Sequence, residues 1–272
     1  MLGGTDMTLC IGALSQHAGN PRIVLCFDSK ISADEFASET EYKFHRLNGK
    51  LVSMFSGAPG RAKELAWIYR EFLRTVNLDK QQIIEQLREP ITTFKRRLAN
   101  AYLGRTLELS YDDFLTRGTK SFGKDFQRRL GLIEDHPLRV DLIIAGFLGQ
   151  FPVLCELRNG ELELRTNYSM IGTGVYTAEP SLHSRKQQEM TTVHSTMYNV
   201  YEAKKLGEAS PHVGKFTTML VLSPPDAPSE SMHIDVVQPE GLNYLDNLYD
   251  QYGPKPMPCQ YTFPEEGVIR AQ

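Results

Sequence analysis

A threonine, an aspartate, a lysine and a glycine stand at the ends of apolar segments within the first sixty residues, and together they carry the groups that one acyl-transfer site needs. Thr8 opens Thr8-Leu9-Cys10-Ile11-Gly12, Asp28 closes Val24-Leu25-Cys26-Phe27-Asp28, Lys43 lies in Tyr42-Lys43-Phe44, and Ser56-Gly57 follows Met54-Phe55. They supply a hydroxyl, a carboxylate, an ammonium and a backbone amide. A threonine at a chain's N-terminus brings its own base, because a free α-amine titrates at roughly 7.7–8.0 beside the hydroxyl it would deprotonate. That chemistry requires residues 1–7 to be gone, either because translation starts at Met7 and the methionine is removed or because the chain is cut after Met7. With its amine blocked, Thr8 is a β-branched residue well suited to opening a strand.

The other three residues have the same double character. An ammonium beside a carboxylate keeps its charge, so Lys43 paired with Asp28 would lower the pKa of a nearby hydroxyl and steady the developing alkoxide. Singly, they are an edge lysine and a strand-end carboxylate. Gly57 precedes a helix that begins after Pro59; a positive φ there turns its N–H outward beside the positive helix end, as in an oxyanion hole. It equally serves a plain turn. Gly172-Thr173-Gly174 either brings a hydroxyl near the site or makes a turn, and its glycines lack the spacing of a phosphate loop. His183, His194 and His212 are scattered, with His194 on the apolar face of a helix. Gly-x-Ser-x-Gly and His-Glu-x-x-His are absent, so serine-hydrolase and zinc-peptidase chemistry has no local signature.

Hairpins are expected to position these groups. Runs over 8–14 and 22–28 flank a turn-rich segment, and runs over 41–47 and 51–56 flank Asn48-Gly49. Two helices follow. The first carries Ala62, Leu65, Ala66, Tyr69, Phe72, Leu73 and Val76 on one face; the second carries Ile84, Leu87, Ile91, Phe94, Leu98 and Tyr102 and is expected to kink or break at Pro90. Residues 104–137 read as a surface insertion with a short helix over 125–132. Strands are expected at 141–147, 152–158, 162–166, 216–222 and 232–237. Between them comes a short helix or loop through His183, then a helix with Met190, Val193, His194, Met197, Val200, Tyr201 and Lys204 on one face. Residues 238–272 show no period and read as an extended C-terminal arm. Strand runs separated by helix pairs define an α+β chain in which helices cover the outer faces of stacked sheets.

Composition narrows the function. With 272 residues, 41% of them apolar, the chain has enough material for a substantial core. A formal charge of −3 and no basic run with interleaved aromatics argue against nucleic acid as a partner. No stretch has the length of a spanning helix and the first residues lack a signal-peptide pattern, so a cytoplasmic protein without membrane contact is expected. Cys10, Cys26, Cys155 and Cys259 have no metal-like spacing, and neither zinc nor disulfides are expected.

The order of these residues resembles the proteasome β-type N-terminal nucleophile hydrolases. That family opens its first strand with a nucleophilic threonine, ends its second with an Asp-Ser-Arg-like triplet, has a lysine in its third, and places Ser-Gly before its first long helix. The matching positions are Thr8, Asp28-Ser29-Lys30, Lys43 and Ser56-Gly57, and the opening looks most like the bacterial proteasome homologues called ancestral β-subunit proteins, or Anbu. The likeness runs from about residue 8 to 222 and includes Leu142-Ile143-Ile144-Ala145-Gly146-Phe147 and Ile171-Gly172-Thr173-Gly174.

This resemblance implies a four-layer αββα sandwich over residues 8–237, with 1–7 as an extension or propeptide and 104–137 inserted. It implies assembly into a ring or open helical stack and a peptide or protein substrate. Thr8 would attack the carbonyl with its own amine as proton shuttle. Lys43 would depress the nucleophile's pKa, Asp28 would orient Lys43, the Gly57 amide would hold the oxyanion, and Thr173 stands where a serine near the terminal amine is common. No cofactor is required. The departures are specific. Residues 1–7 precede Thr8, and Gly4-Thr5 imitates a processing junction, so Thr5 is a rival nucleophile, ranked lower because its odd offset points it to the opposite strand face. The first hairpin is long, and the family's second aspartate and serine find only Ser210 as a partial match. A catalytically silent subunit of the same fold is the alternative from a different class, and an amidase acting on a small amide differs only in substrate.

Overall fold

The computed structural model describes residues 8–28, 31–33, 36–38, 43–227 and 230–254. The expected extension 1–7 with Thr5 and Met7, the pair Ser29-Lys30, Tyr42, Cys259 and the end of the C-terminal arm lie outside the described residues.

Alternating burial builds the first hairpin. Strands β1 (Cys10–His17) and β2 (Asn20–Asp28) pair antiparallel from Cys10↔Phe27 to His17↔Asn20 around a turn at Ala18-Gly19, which leaves Thr8 and Asp28 at the same open end. A small hairpin, β3 (Ile31–Ala33) with β4 (Phe36–Ser38), follows and is additional to the elements expected from sequence. The second expected hairpin forms as β5 (Phe44–Arg46) and β6 (Leu51–Gly57), with Phe44 opposite Met54. After the helices α1 (Pro59–Thr75), α2 (Ile83–Leu107), α3 (Tyr111–Phe122) and α4 (Asp125–Glu134) come the strands β7 (Val140–Leu148), β8 (Phe151–Arg158), β9 (Glu161–Leu164) and β10 (Tyr168–Ile171). The chain continues with α5 (Val175–Ser184), α6 (Val193–Gly207), β11 (Thr217–Ser223), β12 (His233–Val236) and α7 (Pro239–Tyr252).

The strands form two antiparallel five-stranded sheets, ordered β10-β1-β2-β11-β12 and β5-β6-β7-β8-β9. Side chains alternate between opposite faces of a strand, and the cores follow that period. Leu51 and Phe55 of β6 pack with Leu65, Tyr69, Leu87 and Phe94 of α1 and α2, while Val52 and Met54 between them pack with Cys10, Leu25 and Phe27 of the other sheet. On the other sheet, Leu9, Ile11, Val24 and Cys26 pack with Ala178, Val200 and Ala203 of α5 and α6. The chain is therefore mixed α+β, and seven helices are present among the described residues. Among those residues no helix is long and apolar enough to cross a membrane.

Several expectations are corrected. Pro90 does not break α2, which runs for 25 residues. Proline removes one helical donor, but Pro90 is buried together with Leu87, Ile91 and Phe94, and that apolar burial holds the helix together across it. The face of α2 also drifts, because Ala99 and Leu103 are buried where Tyr102 was expected and Tyr102 is exposed. Residues 104–137 are mostly helical and have a small core of their own, with Phe114, Phe126 and Ile133 packed on Ala99 and Leu103. Helix α3 begins with Ser110 capping the Asp113 N–H, an Ser-x-x-Asp signal that its sparse apolar residues obscure. His194 is exposed, since the inner face of α6 is Thr196, Val200, Ala203 and Gly207. Residues 239–252 are not an extended arm. Pro239 starts helix α7, Leu242, Leu245 and Tyr249 recur at helical spacing against α6, and Tyr201 donates to Asp246 at 2.8 Å.

Phe94 is fully buried between α2 and its sheet. Phe94→Ala is expected to lower the unfolding free energy by about 3–5 kcal/mol, read as a fall in the urea midpoint at unchanged slope.

Candidate active site

Asp28 is the last residue of β2 and has no solvent exposure. A buried carboxylate needs donors for its lone pairs, and four arrive from three segments of the chain. Oδ1 accepts the Thr8 hydroxyl at 2.7 Å, the Leu9 N–H at 2.9 Å and the Lys43 ammonium at 2.8 Å; Oδ2 accepts the Gly214 N–H at 2.9 Å. The hairpin register supplies the first two, because Thr8 and Leu9 lead into β1 opposite the end of β2. Lys43 enters from the other sheet, fixed by the Phe55 N–H, which donates to the Lys43 carbonyl at 3.2 Å. Lys43 also donates to Thr8 Oγ1. Thr8, Asp28 and Lys43, at 2%, 0% and 2% exposure, thus form a closed triangle with each group bonded to the other two.

The proton arrangement follows from charge. An ammonium only donates, so the bond from Lys43 occupies a lone pair of Thr8 Oγ1 and leaves the hydroxyl proton directed at Asp28. Any negative charge that develops on Oγ1 forms in contact with the ammonium, away from water, where charge interactions are strongest. Cys10, two residues along the strand from Thr8, is held as a neutral thiol. Its Sγ–H donates to the Phe55 carbonyl at 3.4 Å, and burial pushes its thiol up to about 12, with Lys43 pulling down and Asp28 pushing up.

Gly57 closes β6 at the same end of the sheets. Cys10 and Phe55 meet across the two sheets, and Thr8 and Gly57 each lie two residues further toward that end. The Gly57 φ is +103°, and an added Cβ would stand 2.5 Å from the Arg139 carbonyl, so only glycine fits. Ala58 N–H donates to that same carbonyl at 2.8 Å while Gly57 sits opposite Val140. Alternation in an antiparallel ladder therefore turns the Gly57 N–H away from β7, toward the side on which Lys43 arrives.

Thr173 is brought to the same place by its neighbours. Gly174 N–H donates to the Thr8 carbonyl at 3.3 Å, and at Gly172, φ +103°, an added Cβ would stand 2.1 Å from that carbonyl oxygen. The Thr173 hydroxyl is buried and has no hydrogen-bond partner among the described residues. The five expected residues thus fall into a bonded triangle of Thr8, Asp28 and Lys43, with Gly57 and Thr173 bordering it. Ser210 is not a member: its carbonyl accepts the Val213 N–H in a turn, and the Gly214 amide is what reaches Asp28. Sequence reading missed Gly214 because a backbone donor leaves no residue type to recognise; the available signal was a glycine just before β11, the strand that pairs with β2. Among the described residues no group of three or more histidine, cysteine, aspartate or glutamate side chains is placed to hold a metal ion.

No protein-family model matches this chain, and no curated protein matches it.

Two measurements check this geometry. Removing the carboxylate leaves the buried Lys43 ammonium without its anionic partner, so Asp28→Ala is expected to cost about 3–5 kcal/mol in chemical denaturation. Burial holds the thiols of Cys10, Cys26 and Cys155 up at about 12 each. At pH 8 about one in ten thousand of each is then ionised, and peptide mass spectrometry after iodoacetamide treatment is expected to find them unlabelled in the native protein and labelled in urea.

Proposed function

We propose that this chain is an N-terminal threonine hydrolase of the proteasome β type, a peptidase or amidohydrolase in which Thr8 is the nucleophile. The observation that carries the reading is the buried triangle in which one hydroxyl touches both an ammonium and that ammonium's carboxylate partner. A strand-opening threonine needs neither contact.

Once the residues before Thr8 are removed, its α-amine takes the hydroxyl proton and Oγ1 attacks a substrate carbonyl. Lys43 stabilises the charge on Oγ1, Asp28 holds Lys43 in place, and the Gly57 N–H donates to the oxyanion of the tetrahedral intermediate. The protonated α-amine then gives its proton to the leaving amine as the C–N bond breaks. An ester on Thr8 results. Water, deprotonated by the same amine, attacks the ester and releases the acid, returning the proton to Oγ1. The Thr173 hydroxyl, without a partner among the described residues, supports this scheme, because a free amine at residue 8 would supply the partner that its burial calls for. The steps use no cofactor.

On this reading the two sheets and their helices make a four-layer αββα sandwich of the N-terminal nucleophile type. Copies assemble into a ring or open helical stack in the cytoplasm, the sites face an interior space, and peptides or proteins are the substrates.

Thr8→Ala is expected to lower hydrolysis of fluorogenic peptides by about a thousandfold or more while assembly by light scattering is unchanged. Lys43→Ala is expected to lose nearly as much. A peptide β-lactone is expected to add its mass to the peptide that begins at Thr8. Turnover by Thr8→Ala at the wild-type rate overturns the assignment; an intact assembly with no turnover and no adduct identifies a silent subunit instead.

A further inference from the structure

Lys204 is a lysine with no solvent exposure on the inner face of α6. Its ammonium donates to the Glu208 carboxylate and, at 2.7 Å, to the backbone carbonyl of Lys215. An ammonium taken fully out of water carries a desolvation penalty that an apolar side chain of the same length avoids, and apolar replacement of buried ion pairs is often neutral or stabilising. The bond to the carbonyl is therefore informative about what a charge at this position accomplishes.

Lys215 belongs to the loop over 208–216 that joins α6 to β11. The first part of the loop is held by its own turns, with Ser210 N–H on Gly207 and Val213 N–H on Ser210. Val213 is buried and would meet a Cβ placed on Gly174 at 2.6 Å, which fixes it against the segment beside Thr8. Beyond Gly214 the chain leaves the core, because Lys215 and Phe216 are both exposed. Gly214 stands at this transition, and its N–H is the donor to Asp28 Oδ2 at 2.9 Å. Lys204 grips the next residue. The ammonium also lies near β2, since it pulls down on the Cys26 thiol, which burial pushes up to about 12.

We propose that Lys204 is a positioning residue for the candidate site: by holding the Lys215 carbonyl it keeps the Gly214 amide on Asp28, and so keeps Asp28 aligned on Lys43 and Thr8. Its consequence for turnover rests on the hydrolase reading given above, whereas the clamp itself does not. Lys204 touches neither Thr8 nor Asp28 in the bonds that define the site, so its influence passes through the loop.

The test is Lys204→Met, which keeps length and removes charge; Glu208 retains a cation, because Lys205 lies 3.8 Å from its other oxygen. Hydrogen exchange by mass spectrometry is expected to show the peptide spanning 208–217 exchanging at least about ten times faster while peptides of β1 and β6 stay as in the wild type. Steady-state hydrolysis of the best wild-type peptidyl-coumarin substrate is expected to lose about ten- to a hundredfold in kcat with KM within about twofold. Lost packing alone would not give that split. Should the methionine variant fail to fold, Lys204→Arg keeps the charge but misplaces the donors, and the same two results are expected. Unchanged exchange of the 208–217 peptide overturns the clamp. Faster exchange with unchanged kcat overturns the positioning role. If the wild-type protein turns over no peptide, the hydrolase reading falls, and the exchange result alone decides the clamp.

Discussion

A carboxylate removed from water must be given donors, and the requirement to satisfy Asp28 shapes the end of the molecule that holds the candidate site. Three segments distant in sequence converge on its two oxygens: the approach to β1 through Thr8 and Leu9, the approach to β5 through Lys43, and the loop before β11 through Gly214. Each bond is strengthened by burial, and each would leave a costly orphan if its partner moved. Register of the first hairpin, stacking of the two sheets and closure of the α6–β11 loop are thereby made mutually dependent at one point.

The same point explains two backbone constraints. Gly57 and Gly172 both adopt φ of +103°, and both lie against backbone that a Cβ would strike, Arg139 in one case and Thr8 in the other. Removing those side chains lets β6 turn into α1 beside the site and lets the chain after β10 lie directly on Thr8. The thiol of Cys10, two residues from Thr8, is held protonated. Burial keeps that thiol neutral, whereas the Thr8 hydroxyl lies in direct contact with the Lys43 ammonium.

Much of this was legible in the residues. Alternation in 8–28 and the Asn48-Gly49 turn define the hairpins, and residue types alone bring Thr8, Asp28 and Lys43 under suspicion. The contributions that escaped are of two kinds. Backbone donors such as Gly214 and Leu9 carry no signature in the side-chain alphabet. Helices α3 and α7 escaped because their buried faces are narrow: α3 buries little beyond Phe114, and α7 sets Asn243, Tyr244, Asp246 and Asn247 among Leu242, Leu245 and Tyr249. At Pro90 the helix continues where a break was one of the two expected outcomes. A local rule about one missing donor was outweighed by apolar packing along the rest of α2. Lys204 was readable as a member of a helix face, but its burial as an ammonium emerges only once the loop carbonyl is in position.

The proposed cycle depends on a free amine at Thr8, since the triangle orients a hydroxyl but a base must stand beside it. The most direct measurement is the intact mass of the natively produced protein combined with N-terminal sequencing. A mature chain beginning at Thr8 is the result expected of an N-terminal threonine hydrolase. A chain that retains the residues before Thr8 would contradict it, leaving the nucleophile without its base.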